Sequence, residues 1–220
     1  MLLEEERQEL ASMARSFEHD GLVVNTAGNM SIRHGDLIAI TPSGIRYDQM
    51  VPESMCVLDM DGTTVEAESR PSTEVPMHLA VYRGTKAGGV VHTHSPYATA
   101  FSTVRDELPA VHYLIASLGD SVRVAKYQTF GSQDLASSVI DALHDRRGVI
   151  LQNHGTLTLG RTLSQAYDRA LNLEWLCEVY CHASAMGTPR ILSAEELDEV
   201  RAQARAKSAE AWQPGGGQHR

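Results

Sequence analysis

The sequence predicts an α/β fold: a single domain with a mostly antiparallel central β-sheet covered by helices. Three observations predict it. The 220 residues are 42% hydrophobic and 21% charged, an ordinary globular balance with enough chain for one sizeable core. Tight-turn signals at Asp61-Gly62 and Asn153–Gly155 each separate two apolar runs, as hairpins do. Capped helical segments are interleaved with those runs, and no repeat or linker divides the chain.

Element by element, Leu10, Met13, Ala14 and Phe17 recur at helical spacing and predict a first helix over Glu4–His19. A turn-like segment, 25–33, enters a strand at Met30–Ile32, and Asp36–Thr41 gives a second strand, stopped by Pro42-Ser43-Gly44. Met55–Met60 and Thr63–Glu66 form the hairpin about Asp61-Gly62. Arg70–Tyr82 starts a helix, with Ser72 or Thr73 as N-cap and Pro76 in the first turn, where its missing N–H costs little. Strands follow at Val90–His94, Val122–Ala125 and within Val149–Leu159, with helices from Pro96 to about Val104 and over Ser132–His144. Thr162 with Gln165 and Ser193 with Glu196 are capping boxes that open two last helices, to Met186 and to about Ala211. The domain is therefore expected to span residues 1–212, with 213–220 a flexible Gly-rich C-terminal tail.

A net charge of −9 and a pI near 5.5 lack the basic field of a nucleic-acid binder. The apolar stretches fall far short of the ~20 residues a membrane helix needs. The N-terminus, MLLEEERQEL, carries acid where a signal peptide carries base. Cys56, Cys177 and Cys181 are odd in number and scattered, so no disulfide framework follows and the expected compartment is the reducing cytoplasm. Cys177 and Cys181 lie four apart on a helix with His182 adjacent, but apolar bulk around them favours buried structural thiols.

Of ten histidines, His19, His34, His144 and His219 lie in polar stretches and read as solvent-facing, and His78, His112 and His182 as packed or partly buried. His92 and His94 differ. Residues two apart on a strand share a face, so two imidazoles at the end of an apolar strand can share one cation. His154 follows the apolar strand Val149–Leu151, where a polar ring needs a partner. Three neutral imidazoles with an open position are the layout of a catalytic zinc site.

Three segments carry hydroxyl or amide donors beside glycine or a helix start: Thr26-Ala27-Gly28-Asn29, Thr41-Pro42-Ser43-Gly44 and Pro71-Ser72-Thr73. Each alone is a turn or cap; together they could form a nest of N–H groups and hydroxyls at a positive helix end, able to hold a phosphate without Lys or Arg. Glu74 follows in the first turn. It can complement the helix dipole, serve as a fourth metal ligand, or act as a general base, and composition does not choose.

The stretches TAGNMSIR, ITPSGIRYD, RPSTE, VVHTHSPYATA, PAVHYLIA, YQTFGSQDLA and LQNHGTL, in that order over nearly the whole chain, resemble the class II aldolase/adducin family. The resemblance implies a three-layer fold, with a divalent metal held by His92, His94 and His154: usually Zn2+, with Mn2+ or Co2+ as alternatives. It implies that Glu74 is the catalytic carboxylate, which also reaches the metal when substrate is absent. Asn29, Ser43, Gly44, Ser72 and Thr73 fall on the phosphate pocket, with Thr26 and Gly28 shaping its loop. Tyr113 matches a proton donor supplied by a neighbouring subunit, and members form ring-like homotetramers with sites at subunit interfaces.

The implied activity is reversible cleavage of a ketose 1-phosphate, such as L-fuculose 1-phosphate, to dihydroxyacetone phosphate and an aldehyde. A Lewis-acid dication would stabilise the enediolate that cleavage creates. No Schiff-base lysine is required. The alternatives on the same site are decarboxylation of a 3-oxo-tetronate 4-phosphate and 4-epimerisation of a pentulose phosphate, although family epimerases usually place Asp where this chain has Glu74. A non-enzymatic module of the adducin kind is disfavoured, because this chain keeps all three histidines and the carboxylate. The expected partner is a small-molecule sugar phosphate, with neither nucleic acid nor membrane.

Overall fold

Strand polarity alternates along most of the chain, and the hairpins assemble into one sheet. A computed structural model describes residues 1–209; the expected domain end at 212 and the tail at 213–220 lie outside the described residues. Among the described residues the strands are β1 (Asn29–His34), β2 (Leu37–Ile40), β3 (Cys56–Asp59), β4 (Thr64–Glu66), β5 (Gly89–Thr93), β6 (Glu107–Leu108), β7 (Val122–Ala125), β8 (Gly148–Leu151) and β9 (Gly155–Gly160). They lie in the order β4-β3-β2-β1-β5-β9-β8-β7-β6. Every pairing is antiparallel except β7 with β8, which run parallel because α4 (Gln133–Leu143) crosses between them.

The other helices are α1 (Glu4–His19), α2 (Val75–Gly84), α3 (Pro96–Ser102), α5 (Leu163–Met186) and α6 (Ala194–Ala209). They cover both faces, and the period of two along the strands sorts the core accordingly. Ile38, Ile40, Val90, Val149 and Leu151 pack under α2 and α4 with Leu79, Val81 and Val139. Their alternates Ala39 and Val91 pack under α1 and the start of α5 with Leu10, Phe17 and Ala166. Ile150 joins Phe101 of α3 with Leu173 and Leu176 of α5. No helix among the described residues is long and apolar enough to cross a membrane.

The expected elements are present, with three corrections. The helix expected within Arg70–Tyr82, behind a cap at Ser72 or Thr73, begins only at Val75, and Glu74 occupies its N-cap without a side-chain capping bond. The cause is tertiary: Ser43 N–H donates to the Arg70 carbonyl and Pro42 bridges to Pro71, so 70–72 are held extended against the loop after β2. Thr162 does cap α5, accepting from Gln165 N–H at 3.2 Å, but the Gln165 side chain turns to Arg161 N–H, so the box is not reciprocal; that of Ser193 and Glu196 is. His182 is exposed rather than packed.

Candidate active site

The site forms where three chain segments end on the α2 side of the sheet. On β5, His92 continues the alternation set by Val90, and His94 lies just beyond the strand on the same side. The β8–β9 turn carries Asn153 at φ 55° and delivers His154 beside them. Glu74 enters from the start of α2. The three imidazole centroids lie 4.8–4.9 Å apart, and one potential ligand atom from each of Glu74, His92, His94 and His154 falls within 4.8 Å of all the others.

Two details show that this cluster suits a dication. His92 Nδ1 lies 2.7 Å from the Thr156 carbonyl, which can only accept, so Nδ1 carries a proton and Nε2 points into the cluster. That Nε2 lies 3.0 Å from His94 Nε2 and 2.9 Å from Glu74 Oε2. Glu74 Oε1 is buried with no hydrogen-bond partner among the described residues, and His154 Nε2 faces it at 3.4 Å. Three ring nitrogens and a carboxylate thus converge with an acceptor left over, a donor set matching zinc and its neighbours.

Electrostatics agree. Burial raises the Glu74 carboxyl, but the charge and hydrogen bond of His92, the charge of His154 and the Asn29 amide outweigh it and hold the group well below the usual carboxylate range. Burial lowers His92, yet Glu74 and the Thr156 carbonyl bring it above its ordinary value. Burial and the His92 charge push His94 down to about 3 and His154 to about 4. Two neutral imidazoles therefore face one ionised carboxylate, as metal ligation requires.

Beside the cluster opens a cavity of about 290 Å³. Thr26, Gly28, Asn29, Ser43, Ser72, Thr73, Glu74, His94 and His154 line it, and among the described residues no Lys or Arg does. The expected pocket residues thus come together, with two exceptions. Gly44, at φ 76°, turns the chain behind Ser43 without lining the cavity. Tyr113 is half-exposed and lines a different cavity with Glu199 and Lys207, so within one chain it does not meet Glu74. The nest is also less open than expected, because Ser43 N–H is already bonded to Arg70 and Glu74 N–H to Ser72 Oγ at 3.2 Å. Sequence reasoning gave no role to Tyr127, Gln128, Phe130 and Asn153, which also line the cavity. Tyr127 and Phe130 are 58% and 65% exposed, and the signal was present as two aromatics in a short loop between a strand and a capped helix.

Gly28 shows how closely the site is built. At φ 93°, a Cβ there would stand 2.8 Å from Val23 Cγ1 and 2.9 Å from the His92 carbonyl. Gly28→Ala is expected to cost about 1–3 kcal/mol from strain and overpacking. Thermal unfolding and zinc titration check this: both Tm and metal affinity fall, because the clash pushes on the backbone of His92.

The profile of the Class II Aldolase and Adducin N-terminal domain matches residues 8–181. The chain belongs to the class II aldolase/adducin family. It is 39% identical over 203 residues to the 5-deoxy-D-ribulose 1-phosphate aldolase of Bacillus thuringiensis serovar kurstaki, covering 91% of this chain and 95% of that one. It is 37% identical to the L-fuculose phosphate aldolase of Escherichia coli strain K12, over 82% and 85% of the two chains. A solved L-fuculose 1-phosphate aldolase superposes with a TM-score of 0.90 at 35% identity, over 93% of this chain and 98% of that chain. The class II aldolase family is metal-dependent, and the cluster of His92, His94, His154 and Glu74 is where this member could hold its ion.

Proposed function

We propose that the protein is a lyase that cleaves a ketose 1-phosphate to dihydroxyacetone phosphate and an aldehyde, with His92, His94 and His154 holding Zn2+ and Glu74 moving the proton. The observation that carries this reading is the Glu74 carboxylate: ionised, buried, and set between the imidazole cluster and a wall of hydroxyls. A dication held by His92, His94 and His154 would supply Lewis-acid stabilisation of the charge that cleavage develops.

The protein's own residues do the rest. Thr26, Asn29, Ser43, Ser72 and Thr73 bind the phosphate, with Gly28 and Gly44 shaping the loops behind them, and the N-terminal end of α2 favours its charge. Glu74, ionised at rest, takes up a proton from solvent and delivers it to C3. Tyr113 of the partner subunit takes the proton of the C4 hydroxyl and passes it to solvent, in a homotetramer whose sites lie at subunit interfaces. The protein works in the cytoplasm.

Tyr127 and Phe130 give the cavity an aromatic lip, which suits an aldehyde with an apolar end. The greater identity to a deoxyribulose-phosphate aldolase supports the same choice. 5-Deoxyribulose 1-phosphate is therefore expected to be cleaved faster than L-fuculose 1-phosphate by the zinc-loaded protein. The check is dihydroxyacetone phosphate release from a panel of ketose 1-phosphates, before and after chelation. No release from any of them, or carbon dioxide release from a 3-oxo-tetronate 4-phosphate instead, overturns the reading.

A further inference from the structure

Behind Glu74 lies a row of polar side chains in a face otherwise given to the apolar core. Met30 and Ile32 of β1 are buried in the core on the α1 side, so their alternates Asn29 and Ser31 face α2. On α2, His78 and Tyr82 are one turn apart and fully buried, on the side that meets them. Tyr82 hydroxyl lies 2.8 Å from Ser31 Oγ, Ser31 Oγ 2.6 Å from His78 Nδ1, His78 Nε2 2.5 Å from Asn29 Oδ1, and Asn29 Nδ2 2.9 Å from Glu74 Oε2.

Only one direction of donation satisfies this chain. Glu74 presents its Oε2 to the Asn29 amide at 2.9 Å, so Asn29 turns its NH2 group to it; the flipped amide would set oxygen against oxygen. Asn29 Oδ1 then faces His78 Nε2, which must carry the ring proton. His78 Nδ1 is left as an acceptor for Ser31 O–H, and the Tyr82 proton is shared between Ser31 Oγ and the Ser31 carbonyl at 2.9 Å. Burial also keeps His78 neutral, lowering it to about 3, so the ring offers a single N–H and cannot donate from both sides.

We propose that His78 is a positioning residue: by donating from Nε2 it locks the Asn29 amide with its NH2 toward Glu74, and so aims the carboxylate at the reacting carbon. This rests on the proposed role of Glu74, while the bonding pattern can be tested without it. A core histidine with only a packing role would be replaceable by any ring of its shape. A histidine that orients Asn29 is replaceable only by a group that keeps the donor.

The experiment compares wild type, His78→Phe and His78→Gln as zinc-loaded proteins, with kinetics, bound metal, Tm and nitrogen-15 NMR of histidine-labelled wild type. Phenylalanine is expected to lower kcat by about tenfold or more, with KM and metal content little changed, as for loss of an outer partner. Glutamine, which keeps an N–H within reach of Asn29, should restore most of that loss. In wild type at neutral pH, the histidine signal absent from His78→Gln, or from His78→Phe where that folds, should show its proton on Nε2. Equal kcat in the two variants at equal Tm, or an undiminished kcat in His78→Phe, reduces the residue to packing and overturns the proposal. A proton found on Nδ1 overturns it even where the phenylalanine variant fails to fold. If wild type cleaves no ketose 1-phosphate, the functional reading fails, and NMR still decides the direction of the bonding chain.

Discussion

Glu74→Gln is expected to lower kcat for ketose 1-phosphate cleavage by about 10²–10⁴-fold, the usual worth of a positioned proton carrier. Glutamine keeps the shape and an acceptor for the Asn29 amide, 2.9 Å from the native carboxylate, so the pocket should stay assembled. What it removes is the negative charge that His92 and His154 hold ionised, and with it the ability to take and return a proton. The three imidazoles remain, so bound zinc should stay near one per chain. Steady-state kinetics with metal analysis check this. Activity within about tenfold of wild type would show that another group moves the proton. Loss of metal together with activity would show that Glu74 acts mainly as a ligand.

The largest expected effect on stability belongs to a residue far from the chemistry. Arg7 is 2% exposed, and all its N–H groups are engaged. Nε donates to the Pro52 carbonyl at 2.9 Å, Nη2 to the carbonyls of Glu53 and Met55 at 3.1 and 2.8 Å, and Nη1 to Leu2 O and Glu66 Oε1. The guanidinium thus clamps α1 to the segment before β3 and to the end of β4. Arg7→Met fills the space but strands several carbonyls, and breaking such a buried set costs about 3–5 kcal/mol. For a domain of this size that is a fall in Tm of roughly 6–20 °C. Lysine, with one point charge and no planar fork, should recover only part of it. Thermal and urea unfolding decide; a loss under about 1 kcal/mol for Arg7→Met would mean that water takes over these carbonyls at little cost.

Arg7 also shows where reading a sequence stops. It stands three and seven residues before Leu10 and Ala14, so helical spacing puts it on the buried face of α1. No role is legible for it in the sequence, because four of its five acceptors come from segments that no local pattern connects to it. The bounds of α1 and the hairpin about Asp61-Gly62 were legible for the opposite reason: spacing and turn chemistry act within a few residues. The start of α2 was misread because Ser72 is a good cap in isolation, whereas the extended pairing of Pro42 with Pro71 delays the helix to Val75.

The metal-site candidates were legible in pairs. His92 and His94 could be joined because strand alternation fixes their shared side. His154 could be added only as a buried polar ring in need of a partner, and Glu74 kept three open readings. Tyr127 and Phe130 were passed over because the aromatics of a loop acquire a role only when the loop closes a cavity.

Local order along the chain was enough to settle most of the strands and helices, and which polar residues are out of place in an apolar run. All of these depend on periods of two and 3.6 residues. Folding alone decided that Asn29, Glu74, His78, His92 and His154 meet, and which way each donates. Those contacts span 45–64 residues of sequence in the bonds that join Asn29 to Glu74 and His92 to Thr156, and hydrogen-bond direction follows from what each atom faces. No periodicity carries that information.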